Sequence, residues 1–425
     1  MVKLLPRFSK VEEWLHWLEN LHPTKIDLTL DRAKKALTNI GLDEKKFPSI
    51  VIAGTNGKGS SVAFLEGIYF EAGYKVGSFT SPHISCFNER IRINKEQIKD
   101  SDLINVFSLI DVARKEVSLS YFEYSFIAAL YYFVIENIDI ALFEVGLGGR
   151  LDVVNSIDHD LSLITSIDLD HQSWLGDDRD SIGLEKAGVM RPKKPSVISD
   201  RNPPKSILEY AQNIKAVLHR IGSSFDYTRK ENYWDYFSDN DVIHSIDYPS
   251  FGADIQLDNA SGSIAAAKIM SNSLPINKID IKKGISRTKI KGRIDKYHIN
   301  GVDWLFDVAH NPASTKILAQ KLKSIPNKGK VIAIFSMLRD KDIKSSIANL
   351  IPYIDEWNFV ALEGDRSCSS KDIIKNLSNF DITISSHSSV DLAYSVIEPT
   401  AKKGDLVVIF GSFRIVAPVM TILGL

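Results

Sequence analysis

In the stretch IVIAGTNGKGS, residues 50–60, four apolar residues lead into a glycine-rich turn that carries Lys58 and Ser60. The apolar run has the length of a buried strand, and a helix-length segment continues to about Gly73. A second short strand at 75–79 completes a β-loop-α-β unit. In such a unit the glycines let backbone N–H groups turn toward a phosphate. The helix N-terminus adds positive potential, and Lys58 supplies a point charge. The Ser60 hydroxyl, just beyond the lysine, can ligate the Mg²⁺ that travels with a nucleotide. The strict GxxxxGK pattern followed by Ser or Thr is not met. Ile52 stands where its first glycine should be, and Gly59 separates Lys58 from Ser60. A glycine-rich turn with a solvated lysine is the ordinary alternative, and the flanking strand and helix favour phosphate binding over it. The loop alone does not choose between kinase, ligase and GTPase.

Outward from the loop, strands and helices alternate. Helical segments are expected at 96–115 and 121–137, and a buried strand at 138–145, apolar until Glu144 interrupts it. A strand at 161–165 leads into an acidic loop and a helix around 181–190. This order predicts a mostly parallel, doubly wound sheet. The middle, 200–286, holds an aromatic, antiparallel patch (Tyr233, Trp234, Tyr236, Phe237) and a small-residue helix at 260–270. The polar, basic stretch 285–292 reads as a linker. Strands near 303–308, 330–335, 357–362 and 405–410 then restart the alternation. The expectation is an N-terminal ATP-binding P-loop domain, 1–286, and a C-terminal Rossmann-like α/β domain, 287–425. No repeat of solenoid period and no low-complexity tract is present.

A length of 425 residues suits two or three domains. Lys+Arg is 52 against Asp+Glu 53, a net charge of -1, so nothing calls for nucleic acid or an anionic membrane as partner. Cys86 and Cys368 lie too far apart in sequence for a disulfide framework or a CxxC metal site. The first 20 residues lack an apolar signal core, and Trp14, Leu15, Leu18 and Leu21 instead fit an amphipathic helix. No stretch approaches the roughly 18 apolar residues that span a bilayer. A cytoplasmic location is expected.

Further candidates sit at strand ends. Glu144 is a carboxylate at the C-terminal end of an apolar strand, where ligands collect in open α/β sheets. Its ordinary reading is a structural ion pair, with Arg150 as partner. His171 lies in the loop after the strand 161–165, and a lone loop histidine is more often a surface residue than a ligand. Lys186 would ordinarily be a solvated helix lysine. Two stretches imitate a GTPase switch: NKID (277–280) matches NKxD, and DSIG (180–183) matches DxxG. The NKxD should follow a buried strand but follows SNSLPI, where Asn277 reads better as a helix N-cap, and the DxxG lies inside an acidic loop-to-helix segment.

Taken in order, GTNGKGS (54–60), SPHI (81–84), NERIRI (88–93), FEVGLGGRLDVVN (143–155), DHQSWLG (170–176), EKAGVMR (185–191), FDVAHNP (306–312), MLRDKD (337–342) and GSFRIVAPVM (411–420) resemble one family. It is the folylpolyglutamate synthase and dihydrofolate synthase branch of the Mur ligase superfamily. GLGGRLD and DVAHNP are the most specific pieces, and the resemblance runs from the first strand to the last helix.

The resemblance implies an ATP-dependent ligase that joins L-glutamate to dihydropteroate, to tetrahydrofolates, or to both, through an acyl phosphate. It assigns Ser60, Ser81 and Glu144 to Mg²⁺, with His171 and Lys186 completing a second metal site; Mn²⁺ could also serve. An ammonium cannot ligate a metal, and the family's equivalent lysine is carbamylated, so Lys186 is expected as N6-carboxylysine. Lys58, Glu144, His171, Lys186 and His310 would be catalytic. ATP would meet Thr55, Asn56, Gly57, Lys58, Gly59, Ser60, Asn259, Arg293, Asp307 and Asn311. Arg293 would lie in the linker and reach the nucleotide on domain closure. Asn311-Pro312 also reads as a helix N-terminus. The pterin would meet Ile26, Asp27, Leu28, Thr80, Phe122, Leu151, Asp152 and Val153. A monomer is expected. The alternatives are a peptidoglycan-precursor ligase of the same superfamily, whose extra N-terminal domain has no room in the 53 residues before Gly54, and a P-loop GTPase.

Overall fold

The strand expected before the phosphate loop forms as Ser49–Ala53 (β1), with Ile50, Val51, Ile52 and Ala53 fully buried. The computed structural model describes residues 6–24, 27–44, 46–239, 241–249, 255–326, 329–362, 364 and 367–425. Its first sheet continues through Val76–Phe79 (β2), Ile91–Ile93 (β3), Glu96–Gln97 (β4), Ile140–Glu144 (β5), Leu161–Ile164 (β6), Pro195–Ile198 (β7) and Val217–Arg220 (β8). The spatial order is β4-β3-β2-β5-β1-β6-β7-β8. Strands β2, β5, β1, β6, β7 and β8 pair in parallel, and β3 and β4 add an antiparallel edge. Parallel strands are covered on both faces, which is why β1 and β5 read as continuous apolar runs. The helix Tyr121–Ile135 starts at a capping box, with the Ser120 amide donating to Glu123 and the Glu123 amide to the Ser120 hydroxyl. Phe79, Phe126, Phe133 and Phe143 fill the core between that helix and the sheet.

The helix expected from residue 96 starts later, as Asp100–Ala113. Residues 96–97 instead form β4, because Asn94 and Lys95 both adopt positive φ (52° and 71°) and close a two-residue hairpin. The aromatic patch is antiparallel, as expected: Phe225–Arg229 (β9), Tyr233–Ser238 (β10) and Asp241–Asp247 (β11) form a separate sheet. Trp234 and Tyr236 point into the protein while Tyr233 and Phe237 are exposed, the period-two pattern of a half-buried strand.

Residues 285–287 are not linker. They end the helix Lys278–Arg287, which Asn277 caps and which Ile281 and Ile285, four apart, anchor in the interior. The chain forms two units, the second comprising Lys289–Leu425 with Asp168–Trp174 and residues 255–256. The second unit's sheet is Arg293–Ile299 (β12), Val302–Asp307 (β13), Val331–Phe335 (β14), Glu356–Val360 (β15), Ile384–His387 (β16) and Leu406–Phe410 (β17), in the order β12-β13-β17-β14-β15-β16. All its pairings are parallel except β12 with β13. Arg293 therefore opens a strand instead of lying in a linker. Among the described residues, no helix is long and apolar enough to cross a membrane.

Candidate active site

β1 delivers the phosphate loop at its C-terminal end. Gly57 holds φ +96° immediately before the helix Lys58–Glu71, and a Cβ there would fall 2.4 Å from Asn259 Oδ1. Only glycine allows that backbone and that approach. Asn259 is buried against the loop. Lys58 Nζ folds back to donate to the carbonyls of Gly54 (3.0 Å) and Thr55 (3.2 Å). The Thr55 amide donates to Ser166, and the Ser166 hydroxyl to Asn56, so the loop is tied to the end of β6. Ser60 is buried in the first helical turn.

The neighbouring strands supply the other groups. β5 lies beside β1 and ends at Glu144, which is 5% exposed. A Cβ on Gly59 would stand 3.6 Å from Glu144 Oε2, so the carboxylate borders the loop. β2 lies beside β5 and leads to Thr80 and Ser81; the Ser81 amide donates to Glu144 Oε2 at 3.1 Å. Arg150 is not Glu144's partner. It pairs with Glu185 at 2.8 Å, across the turn that its own loop packs on.

Lys186 is not a solvated helix lysine either. It is 5% exposed, on the buried stripe Ile182, Gly183, Lys186 and Ala187 of its helix, and its Nζ donates to the Gly54 carbonyl at 2.9 Å. Among the described residues, no three His, Cys, Asp or Glu side chains converge to hold a metal ion. A single carboxylate with serines and a phosphate loop instead suits Mg²⁺ that arrives with a nucleotide and keeps phosphate and water ligands.

The motif NERIRI (88–93) fastens the segment carrying Thr80 and Ser81. Glu89 accepts from the amides of Ile84, Ser85 and Cys86. Asn88 bonds the Ile98 carbonyl and Asp100. Arg92 donates to the Thr80 hydroxyl (3.2 Å) and the Glu89 carbonyl, and pairs with the buried Glu66 at 3.0 Å. Glu66 lies on the phosphate-loop helix and also accepts from Ser78. One buried ion pair thus joins the nucleotide helix to the Thr80 hydroxyl.

The pterin candidates gather in the same unit, save Ile26, which lies outside the described residues. Asp27 pairs with Arg32 at 2.5 Å and accepts from Thr29. Burial raises its pKa, but the Thr29 hydroxyl and the Arg32 guanidinium prevail and hold it below the usual value. Leu28 and Leu151 are half-buried, and Val153 is buried. The Phe122 ring packs so closely on Gly146 that a Cβ there would fall 2.5 Å from it. Asp152 is buried and accepts from the amides of Gly146, Leu147 and Val154. Burial pushes its pKa up to about 6, against those backbone bonds and the Lys58 charge.

In the second unit Asp307 ends β13 and accepts from the amides of Ile294 and Ala309. Burial raises its pKa, opposed by the Arg293 charge. Asn311 caps the helix Pro312–Ser324 through the Ser314 amide. His310 Nδ1 donates to the Val308 carbonyl, which leaves Nε2 toward Asp170 at 3.7 Å. Asp170 pairs with the buried Lys341 at 2.5 Å and has His171 Nε2 at 4.0 Å. Burial works to raise the Asp170 pKa, but the His310 imidazole 3.7 Å away and the Lys341 charge hold it far below the carboxylate range. Lys341 belongs to the motif MLRDKD (337–342), and nothing local in that motif marks it as the partner of Asp170. Both GTPase look-alikes are helical: residues 180–183 lie within Arg179–Ala187, and Asn277 is an N-cap.

Residues 292–413 match the family model for the Mur ligase, glutamate ligase domain. Over 415 residues the chain is 36% identical to the dihydrofolate synthase/folylpolyglutamate synthase of Escherichia coli strain K12, covering 98% of this chain and 96% of that protein. The solved structure of E. coli FolC in complex with DHPP and ADP is similar at a TM-score of 0.91 and 35% identity, covering 98% of each chain. A bifunctional folylpolyglutamate synthase/dihydrofolate synthase with Mn, AMPPNP and L-glutamate bound is similar at a TM-score of 0.91 and 34% identity, covering 100% of each. Likeness at this level, over nearly the whole chain and in both sequence and fold, places the chain in the dihydrofolate synthase/folylpolyglutamate synthase family, with a Mur-ligase second domain.

Proposed function

We propose that the protein is an ATP-dependent carboxylate–amine ligase that adds L-glutamate both to dihydropteroate and to tetrahydrofolates. The observation that carries this reading is the grouping at one sheet edge of a phosphate loop with Lys58, the Glu144 carboxylate on the Ser81 amide, and the buried Lys186. A carboxylate is a poor electrophile. One of its oxygens attacks the γ-phosphorus of ATP, the bond to the β-phosphate oxygen breaks, and ADP leaves with that electron pair. The glutamate amine then attacks the acyl carbon and loses a proton, and inorganic phosphate departs. Loop amides and Lys58 neutralise the transferring phosphoryl group, and fixed geometry contributes much of the acceleration. Ser60, Ser81 and Glu144 are the residues suited to a nucleotide-bound divalent cation, which supplies Lewis-acid charge neutralisation. Asn259, Arg293, Asp307, His310 and Asn311 belong to the nucleotide in this reading. Thr80, Phe122 and Asp152 belong to the pterin.

In the same reading Lys186 works as N6-carboxylysine: its neutral amine adds CO₂, loses a proton and becomes an anionic oxygen ligand, which with His171 serves a second cation. Its burial beside the phosphate loop supports this. Lys186→Ala should lose most activity and regain part of it with short-chain carboxylic acids. Loss without rescue counts against the carbamate. The enzyme is taken as a cytoplasmic monomer acting on small soluble substrates. Phosphate release from ATP with L-glutamate is the test of the function. It should require dihydropteroate or a tetrahydrofolate, and release independent of any acid, or with GTP alone, would contradict the reading.

A further inference from the structure

Arg90 has no role in the proposed reaction, yet it is only 9% exposed and carries donors that nothing among the described residues uses. Its Nε donates to His83 Nδ1 at 2.8 Å, so that ring nitrogen is the acceptor. An arginine has five N–H donors. The other four sit on the two terminal nitrogens, and among the described residues neither of these has a hydrogen-bond partner. The guanidinium carbon lies 5.5 Å from the Tyr121 ring centre and 5.7 Å from that of Phe87, so two aromatic rings fix the group. The negative groups it senses are engaged elsewhere. Glu89 accepts from three backbone amides, and Glu144 accepts from the Ser81 amide.

A buried cation without a hydrogen-bonded anion is costly, and the cost is removed when a ligand supplies that anion. The planar fork of an arginine matches a carboxylate in bidentate fashion. A substrate carboxylate that approaches the phosphate loop also meets the negative Glu144 and needs a fixed positive partner. We propose that Arg90 binds a substrate carboxylate, and that His83 is a positioning residue that holds its Nε. The inference rests on the ligase reading, whose two acids are the pteroyl acid to be activated and the glutamate whose amine attacks.

The test compares each acid with its carboxamide, as ligands of the full-length protein without nucleotide. One arm uses dihydropteroate, and the other uses glutamate against its α-carboxamide. The wild-type protein should prefer the acid by about 30-fold in one arm. Arg90→Met should bring that ratio close to one, with nucleotide affinity unchanged. The arm in which the ratio collapses identifies the carboxylate; an unchanged ratio in both arms overturns the proposal. Should Arg90→Met fail to fold, Arg90→Lys keeps the charge without the fork, and its ratio should fall about tenfold. A ratio equal to wild type overturns the proposal equally. His83→Ala should raise KM for the same substrate while kcat holds, and His83→Asn, which keeps an acceptor, should restore it. An His83→Ala protein with unchanged KM removes the positioning role. Wild-type turnover is measured separately: its absence refutes the ligase reading and leaves the binding ratios to judge Arg90.

Discussion

Asp152 is a residue whose function should be measurable as lost stability. Burial raises its pKa from 3.8 to about 6. The folded protein therefore holds a proton that the unfolded chain has released between those values. Stability from this group is fully present below 3.8 and is lost as pH rises through about 6. Two units or so of shift amount to about 3 kcal/mol at neutral pH, with about 1.3 kcal/mol of it lost between pH 5 and pH 7. Asp152→Asn cannot ionise, so its stability relative to wild type should climb by that increment over the same interval. Asparagine offers one acceptor oxygen to the three amides, which adds a loss that does not depend on pH. Urea unfolding of both proteins at pH 5, 6 and 7 gives the comparison. If the ionised carboxylate recognises the pterin, wild-type KM for dihydropteroate, taken relative to the variant, should fall about tenfold from pH 5 to pH 7. Parallel stability profiles and a flat relative KM would show that Asp152 neither titrates in this range nor binds the pterin through its charge.

Two further outcomes follow from buried groups. His159 is 1% exposed, neither ring nitrogen has a hydrogen-bond partner among the described residues, and burial pushes its pKa from 6.5 down to about 3. The unfolded chain then binds the extra proton, so stability falls as pH drops below 6.5, and His159→Leu should gain about 2 kcal/mol on wild type between pH 7.5 and pH 5; an unchanged difference across that range counts against it. Glu66→Gln breaks the buried pair with Arg92 and should cost about 2–4 kcal/mol. It should also raise KM for the pterin substrate while leaving ATP affinity alone, and equal losses for both ligands would show that the pair does not act through Thr80.

What the sequence made legible follows from physics that acts locally. β1, β5 and the phosphate loop stand out because strands buried on both faces are apolar runs, ended after β1 by Gly54 and broken at the end of β5 by Glu144. Asn277 and Asn311 were readable as caps because a cap is decided within four residues. β12 and β16 escaped notice because edge strands expose alternate residues, and neither RIDKYHI nor ISSH shows an apolar run. Lys186 looked like a surface lysine, since its burial depends on Gly54, 132 residues earlier. Arg150 looked like the partner of Glu144 by proximity in sequence, while its true partner, Glu185, is 35 residues away. The Asp170–Lys341 pair spans 171 residues and leaves no local trace. Of NERIRI, the pattern was visible but not the division of labour among Glu89, Arg90 and Arg92.

The proposed ligase reaction turns on activation of the substrate carboxylate by ATP as an acyl phosphate. Dihydropteroate labelled with ¹⁸O in its carboxylate tests it directly, by mass analysis of the phosphate released with ATP and L-glutamate. One ¹⁸O atom is expected in each phosphate, because the oxygen that attacks the γ-phosphorus leaves with it when the amine attacks the acyl carbon. Phosphate released without label, at a rate equal to amide formation, would contradict it.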